Sequence, residues 1–563
     1  MIRKIGLVNR TYRHINRYRQ IITVLIKHGF GDLVSETNLA KYIDLGKKFI
    51  PWKKDKKTES LSRWERVRKV LEELGPTFIK FGQIMSNRPD LLPKELIYEL
   101  EKLQDSVPQF SGKDAQKLIE NELGKPIYEI FKNFEICPIA SASVSQVHRA
   151  ELIDGEEIAV KVQRPGIEHI IEIDLEIMLH FANLTEKYIK GMDILSPINV
   201  IKEFEKSIKK EIDFTIEASN IERFGRNFQD DMTIYVPKVY RDYSTKKILT
   251  MEFIDGIKVS NVDAILDTGN DPKIIGSRSA DLVLKQVFEH GFFHADPHPG
   301  NILVLNNNVI CFLDFGMMGI CLPKYKEYLS NIIVGVVKKD PKIITKSLIK
   351  FSYIDNIKNI DELEYQISVL IEQYSYKSLK DLNIGDCLGQ LIKLILEFKI
   401  KTPPDMYLLM KSLITVEGVG RKLDPDFNAV EHIEPFAKKI LKERMNPLKL
   451  TKDIYLSIIE FAFFLRDFPS EIKAIFEQIK HGQLKLKFEH RGLESMLKTH
   501  ERISNRIAFA IVLASLIVGS SLIILSGIPP KWNNIPIIGI LGFIAGGIMG
   551  FWLLISILRH GKM

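Results

Sequence analysis

Cysteine is scarce: there are four in 563 residues, at 137, 311, 321 and 387, none in a Cys-x-x-Cys pair and none beside a cluster of histidines. That excludes a disulfide framework or a four-ligand structural zinc site and points to a reducing, cytoplasm-facing compartment. A secretory signal is also missing, because Arg3, Lys4, Arg10, Arg13, Arg17 and Arg19 leave no continuous apolar core near the N-terminus. Neither a glycine-rich GxGxxG loop nor a flavin or haem motif is recognisable, so redox cofactor chemistry gains no support.

The length suggests two to four folding units and ample material for a large core. The net charge of +8 is concentrated at one end, with 14 Lys/Arg against 4 Asp/Glu in residues 1–57. Ile5, Val8, Tyr12, Ile15, Ile22 and Leu25 fall on one helical face there, which reads as a basic amphipathic helix. Two uses fit it equally: attachment to an anionic membrane surface, or packing on the main domain. An organellar transit peptide has the same chemistry.

Two charge-free apolar stretches, 507–526 and about 535–557, are each long enough to cross a bilayer. Gly527, Pro529 and Pro530 interrupt them, and Trp532 suits a membrane interface, so a two-pass hairpin is expected. Arg502, Arg506, Arg559 and Lys562 flank the outer ends against Lys531 alone in the turn, which places both ends, and the N-terminal region, in the cytoplasm. Gly542, Gly546 and Gly550 form a small-residue stripe expected to pack on Ala510 and Ala514, with dimerisation as the alternative.

Between about 138 and 320 the pattern becomes short strands, turns and isolated polar residues. Val144–Leu152 and Glu157–Val162 read as strands joined through Asp154-Gly155, a two-residue hairpin signal. Lys161 lies in the second strand; a lysine buried there costs several kcal/mol unless it meets an anion, although alone it reads as an edge charge. Further on comes His294-Ala-Asp296-Pro-His298-Pro-Gly-Asn301, then two strands around Asn306–Asn308, then Asp314-Phe315-Gly316. Asp296 and Asn301 keep the spacing of the catalytic loop HRDxxxxN, and Asp314 opens a DFG. Phosphoryl transfer needs oxygen ligands for Mg²⁺, a group beside the nucleophile and a cation on the phosphates, and this ordered set supplies all three. The competing reading, a transition metal on His294, Asp296 and His298, meets Pro297 and Pro299, which impose an irregular loop with no preset ligand face.

Upstream, Pro76 suits a helix start that puts Lys80 and Gln83 on one face. Glu211, Asp213 and Glu217 fall within one long predicted helix, about 197–225, in which Glu211 and Glu217 lie about 120° apart and should serve different partners.

On these motifs the chain resembles the UbiB (AarF) family of atypical protein-kinase-like proteins over nearly its whole length: KxGQ at Lys80–Gln83, Ala140-Ser-Ala-Ser143 with Gln146-Val-His-Arg149, AVKVQRPG from Ala159 to Gly166, ExD at Glu211–Asp213, HADPHPGN and DFG. The resemblance implies that Lys161 pairs with Glu217 and reaches nucleotide phosphates, that Asn301 and Asp314 hold Mg²⁺, and that Asp296 stands where a catalytic base belongs. It makes Ala140, Ser141, Ala142 and Ser143 the loop over the phosphates, and Met251, Glu252 and Ile254 part of a hinge that receives adenine through its backbone. Lys80, pairing with Glu211, would cover the site together with Gln83 and Asp213 and occlude an ordinary protein substrate. Three departures from protein kinases matter. Side chains in the 138–144 loop limit backbone approach, Ala295 replaces the HRD arginine, and no APE segment follows Asp314, so regulation by activation-loop phosphorylation is not expected. Ser141, where relatives carry more alanine, bears on nucleotide preference.

The expected architecture is α+β: a bilobal protein-kinase-like fold with helical N- and C-terminal extensions and a C-terminal two-helix transmembrane hairpin. Its segments are a basic stretch (1–57), a helical extension with KxGQ (58–135), the kinase-like domain (136–445), a helical linker (446–506) and the hairpin (507–558). The expected activity is Mg²⁺-dependent use of ATP, by hydrolysis or transfer to a small or lipidic acceptor, at the cell membrane. The resemblance implies an isoprenoid-quinone precursor or other membrane lipid as partner, possible contact with lipid-biosynthesis enzymes, and no nucleic acid. A protein kinase acting in trans and a nucleotide-gated lipid-binding scaffold are the alternatives.

Overall fold

The computed structural model describes residues 2–32, 61–89, 91–103, 109–188, 196–351, 359–375, 384–398, 400, 402–444, scattered positions within 458–480, 493–533 and 535–560. The chain divides into two compact units, Met1–Leu450 and Thr451–Met563.

The first unit opens with helix α1 (Ile2–Lys27), where the basic amphipathic stretch predicts one. From Ile15 onward, where side chains are described, this helix packs on the domain: Ile21, Ile22 and Val24 are buried. Arg17 spans the carboxylate of Asp174, a fully buried residue, with Nε to Oδ1 at 2.7 Å and Nη2 to Oδ2 at 2.9 Å, and Nη2 also donates to Leu74 O at 2.7 Å. Ile5, Val8 and Tyr12, the outer part of the expected membrane face, lie outside the described side chains.

Helices α2 (Arg63–Leu74), α3 (Pro76–Ser86) and α4 (Lys94–Glu101) follow. Ser62 and Glu65 form a reciprocal capping box at the start of α2. Gly75, at φ +94°, turns the chain into α3, which starts on Pro76 as expected. The glycine of KxGQ packs closely: a Cβ on Gly82 would fall 2.2 Å from Leu103 Cδ1, so Leu103 would have to shift.

After α5 (Gly112–Leu123) comes an antiparallel sheet of β1 (Phe131–Phe134), β2 (Ala140–Ser141), β3 (Ser145–Leu152), β4 (Glu157–Gln163) and a later strand, β6 (Ile248–Glu252). Lys161 pairs with Val147 on one side and Leu249 on the other, so it occupies a central strand rather than an edge. The β3–β4 turn is one residue longer than the Asp-Gly signal predicts. Leu152 closes on Glu156, leaving three loop residues, with Gly155 at φ +93° absorbing the left-handed turn.

Helix α6 (Ile167–Tyr188) precedes α7 (Pro197–Glu211) and α8 (Phe214–Asn227). The single helix expected over 197–225 is therefore two, and the 120° argument does not apply. The cause is local: Asp213 Oδ1 accepts from Thr215 N at 3.1 Å and Thr215 Oγ at 2.5 Å, an N-cap that starts α8 afresh. The Phe214 N–H meanwhile goes to Lys246 O at 3.0 Å, pulling the backbone out of α7.

The second lobe contains a sheet ordered β5 (Ile234–Tyr235), β10 (Val309–Phe312), β9 (Ile302–Leu305), β7 (Ile257–Lys258), and a separate pair, β8 (Phe292–His294) with β11 (Met318–Ile320). Strand β6 (Ile248–Glu252) belongs to the first sheet, so residues 253–256 cross between lobes. Helix α9 (Pro272–Lys285) and then α10 (Pro323–Val337), α11 (Pro341–Phe351), α12 (Ile360–Ser375), α13 (Ile384–Glu397), α14 (Pro404–Leu423) and α15 (Ala429–Arg444) build the rest. One core joins Phe214, Ile221 and Phe224 of α8 to Phe312, Phe315 and Val416, so the helix bearing Glu217 is packed directly on the DFG segment.

In the second unit, α16 (Leu493–Ser526) and α17 (Ile537–His560) contain apolar spans Ile503–Ser526 and Ile537–Ile555, of mean hydropathy 2.7 and 2.2, long enough to cross a bilayer. Lys531–Trp532 pairs with Ile535–Pro536 in the turn. The glycine stripe packs within the hairpin, but on other partners than expected. Cβ atoms added at Gly542, Gly546 and Gly550 would meet Ser520, Ile517 and Leu513, so the approach runs from between Ala510 and Ala514 to beyond Ala514 and uses neither alanine.

Candidate functional site

Strand β4 aims Lys161 at the first turn of α8, where its Nζ lies 2.8 Å from both carboxylate oxygens of Glu217 and 3.3 Å from Asp314 Oδ1. Burial works against this ammonium, but the charges of Asp314 and Glu217 outweigh it and hold Lys161 well above its ordinary value. Burial pushes the Glu217 carboxyl up, to about 7, against the pull of Lys161. The attraction of Lys161, opposed by burial and assisted by Lys80, holds Asp314 well below the usual carboxylate range. The Asp314 side chain is nevertheless 56% exposed, so solvent screens that attraction, whereas Glu217 is enclosed.

Asp314 has φ +56°, a left-handed conformation that costs a residue with a Cβ and is found at sites where the surroundings enforce it. What enforces it is the next residue. Phe315 is buried against Phe224 and His294, with ring centroids 5.0 and 5.7 Å away, and its carbonyl accepts from Asn220 Nδ2 at 2.9 Å.

The loop after β8 is pinned through His294, which is fully buried and kept neutral by burial. Its Nε2 hydrogen-bonds Leu313 O at 3.0 Å, which requires the proton there, and its Nδ1 accepts from Asp296 N at 3.2 Å. With both ring nitrogens used, His294 is not a metal ligand, and His298 Nδ1 accepts from Gly300 N. Asn301 Nδ2 donates to Asp296 O at 3.3 Å and so ties the two ends of the loop together. Among the described residues, no hydrogen bond or ion pair engages the Asp296 carboxylate, which leaves it available to a hydroxyl or water. Ala295 is buried, filling with a methyl group the place where a charged HRD arginine would stand.

The hinge strand pairs Met251 with Ala159 and Glu252 with Ile158. The Glu252 carboxylate accepts from Tyr235 Oη at 2.7 and 2.9 Å, and that hydrogen bond pushes the phenol up to about 12. The Glu252 and Phe253 N–H groups are spent on Lys238 O and Glu157 O. Among the described residues the N–H groups of Ile254 and Asp255 have no backbone acceptor.

Over Lys161, Ala140 and Ser141 pair with Val147 and Gln146, and Ala142 N donates to Ser145 O at 2.8 Å. The hydroxyls of Ser141 and Ser143 are buried without a protein partner. Orphaned donors of this kind fit phosphate oxygens, and Asp314 with Asn301 provides the hard oxygen ligands that Mg²⁺ takes alongside phosphate. Of the covering residues, Lys80 forms an ion pair with Glu211, Gln83 Nε2 donates to Leu103 O at 3.1 Å, and Asp213 is the cap of α8. Gln286 Oε1, which accepts from His294 N at 2.9 Å, and Ser412 Oγ, which donates to His294 O at 3.0 Å, also hold the loop and carry no sequence signal. Asn220, which holds the DFG, had one: it lies three residues after Glu217 on the same helical face.

The ABC1 atypical kinase-like domain matches residues 102–348, the UbiB helical domain 367–428, and the ABC1/UbiB kinase-like C-terminal domain 491–559. A probable protein kinase UbiB of Pseudomonas fluorescens SBW25 is 37% identical over 77% of this chain and 82% of its own length. This chain belongs to the UbiB family. The family's kinase-like domain contains Lys161, Glu217, Asp296, Asn301 and Asp314, while Lys80 and Gln83 precede it. A Clostridium pasteurianum protein described only as uncharacterized, in a hydrogenase 1 5' region, is 36% identical over 98% of this UbiB-family chain and all of its own. The solved structure of Rv3197 with erythromycin, from Mycobacterium tuberculosis, is 24% identical, covers 63% of this chain and 90% of that one, and has a TM-score of 0.44.

Proposed function

We propose that this UbiB-family chain is a membrane-anchored enzyme that uses Mg-ATP, hydrolysing it or transferring its phosphoryl group to a small or lipidic acceptor in isoprenoid-quinone metabolism. The observation that carries the reading is Lys161 held between Glu217 and Asp314, with Asp296 and Asn301 on the adjoining loop. The quinone assignment rests on the relatives named UbiB, and the anchoring, with the catalytic unit facing the cytoplasm, on the two apolar helices and their flanking charges.

Bound Mg²⁺ would supply charge neutralisation on the phosphates, with Asp314 and Asn301 as its protein ligands. Lys161 keeps its proton and presents a fixed cation, oriented by Glu217. Ser141 and Ser143 offer hydroxyl donors from above, and Ile254 N–H offers one to the adenine edge. Asp296 accepts the proton of the attacking hydroxyl or water. The Lys80–Glu211 pair, which would cover this set, favours a small acceptor over a folded protein substrate.

Phosphate release by the full chain in vesicles containing a phenolic quinone precursor tests this. Asp314→Asn should lower release about 100-fold. Undiminished release would remove Asp314 from the metal site, and binding without release by the wild type would favour a nucleotide-gated scaffold.

A further inference from the structure

We infer that α14, within the UbiB helical domain, clamps the KxGQ helix to the catalytic loop, with Lys411 and Ser412 as positioning residues on its two sides. Consecutive helical residues point about 100° apart, and here each points at a different part of the machinery. Lys411 Nζ donates to Asn87 Oδ1 at 2.7 Å. Asn87 is the residue that closes α3: its N–H reaches Ile84 O and Met85 O, and its Nδ2 donates to Gln83 O at 3.3 Å. A cation at this helix C-terminus is also favoured by the helix dipole. On the other side, the fully buried Ser412 donates to His294 O at 3.0 Å, two residues before Asp296.

A helix that only touched both parts would not couple them; α14 does more because it is immobilised by two cores. Met406, Tyr407, Leu409 and Met410 belong to the helical core with α10 to α13, while Val416, Val419 and Leu423 belong to the core containing Phe312 and Phe315. The helix that carries Lys80 and the loop that carries Asp296 are thus both referenced to α14. A shift of the loop on nucleotide binding is transmitted to the cover over the site, and the reverse.

The effect on turnover rests on the proposed use of ATP, but the clamp itself does not, so amide hydrogen exchange on the full chain separates them. Lys411→Met should speed exchange across residues 76–86 about tenfold, as expected for loss of a charged hydrogen bond, with residues 302–312 unchanged. Ser412→Ala should do the same at 292–301. Lys411→Arg should restore wild-type exchange at 76–86, and Asn87→Ser should speed exchange there less when added to Lys411→Met than it does alone, because the shared contact is already lost. Unchanged exchange at 76–86 in Lys411→Met overturns the clamp. If that variant loosens everywhere, the double variant decides, and additive effects at 76–86 overturn it. With Mg-ADP, the wild type should gain protection at both 292–301 and 76–86, and Lys411→Met at 292–301 alone. Protection at 76–86 that persists in Lys411→Met sinks the coupling, whereas apo differences as stated, with no nucleotide protection anywhere, uphold the clamp and sink the ATP reading.

Discussion

Lys161 holds two kinds of contact that differ in permanence. Its bonds to Glu217 are short, paired and enclosed, whereas the contact with Asp314 is longer and open to the cleft. Arrival of phosphate and Mg²⁺ would replace the second and leave the first. The same asymmetry gives a pH signature. Asp314 is held below the usual carboxylate range, so the folded chain binds fewer protons there than the unfolded one; the resulting stabilisation is present above about pH 4 and is lost as pH falls below it. Thermal scans should therefore show Asp314→Asn losing Tm less steeply than wild type between about pH 5 and pH 3, and parallel slopes would show that Lys161 exerts no such hold. Ser141→Ala should leave the unliganded Tm unchanged or slightly raised, since it removes a buried hydroxyl with no partner, yet weaken nucleotide binding severalfold by titration calorimetry. At this scale the sequence was most informative, because Lys161, Asp296, Asn301 and Asp314 are chemically improbable in their setting and ordered as phosphoryl transfer requires. The roles of Asp213 and Glu252 were not legible in that way. A carboxylate reads the same whether it caps a helix, accepts from a tyrosine or faces a ligand, and only the fold separates these.

At the scale of elements, the break between α7 and α8 shows what a periodic pattern conceals. Apolar spacing continued through residues 197–225, so one helix was the natural reading, but a three-residue competition at Asp213, Phe214 and Thr215 decided otherwise. The break lets Glu211 and Glu217 face separate lysines without being bound to one helical geometry. Asp213→Ala should cost about 1 kcal/mol in denaturant unfolding, and Asp213→Asn should recover most of it because asparagine caps as well. An Asn variant that is stable but inactive would instead give the charge of Asp213 a direct role. The hairpin offers the opposite lesson: its existence was plain from charge-free length, whereas its register was not, since many small residues on α16 could have met the glycines and only packing selects Ser520 and its neighbours.

Among the described residues, the contact of α1 with α6 ties the N-terminal segment to a distant part of the chain. Asp174 is fully buried, so Arg17→Ala would strand an unpaired charge and should cost about 3 kcal/mol in unfolding experiments. An Arg17→Lys variant keeps the charge but loses the paired geometry and should fall between the two. Arg17 and Asp174 are separated by 157 residues. At ribosomal speed that distance is roughly ten to thirty seconds of synthesis. Throughout that interval a nascent chain carries a basic, apolar-striped helix whose buried carboxylate partner has not yet been made. Use as a strut begins only once Asp174 has emerged, so a surface open to anionic lipid, the other use read from its composition, would belong to the interval before it.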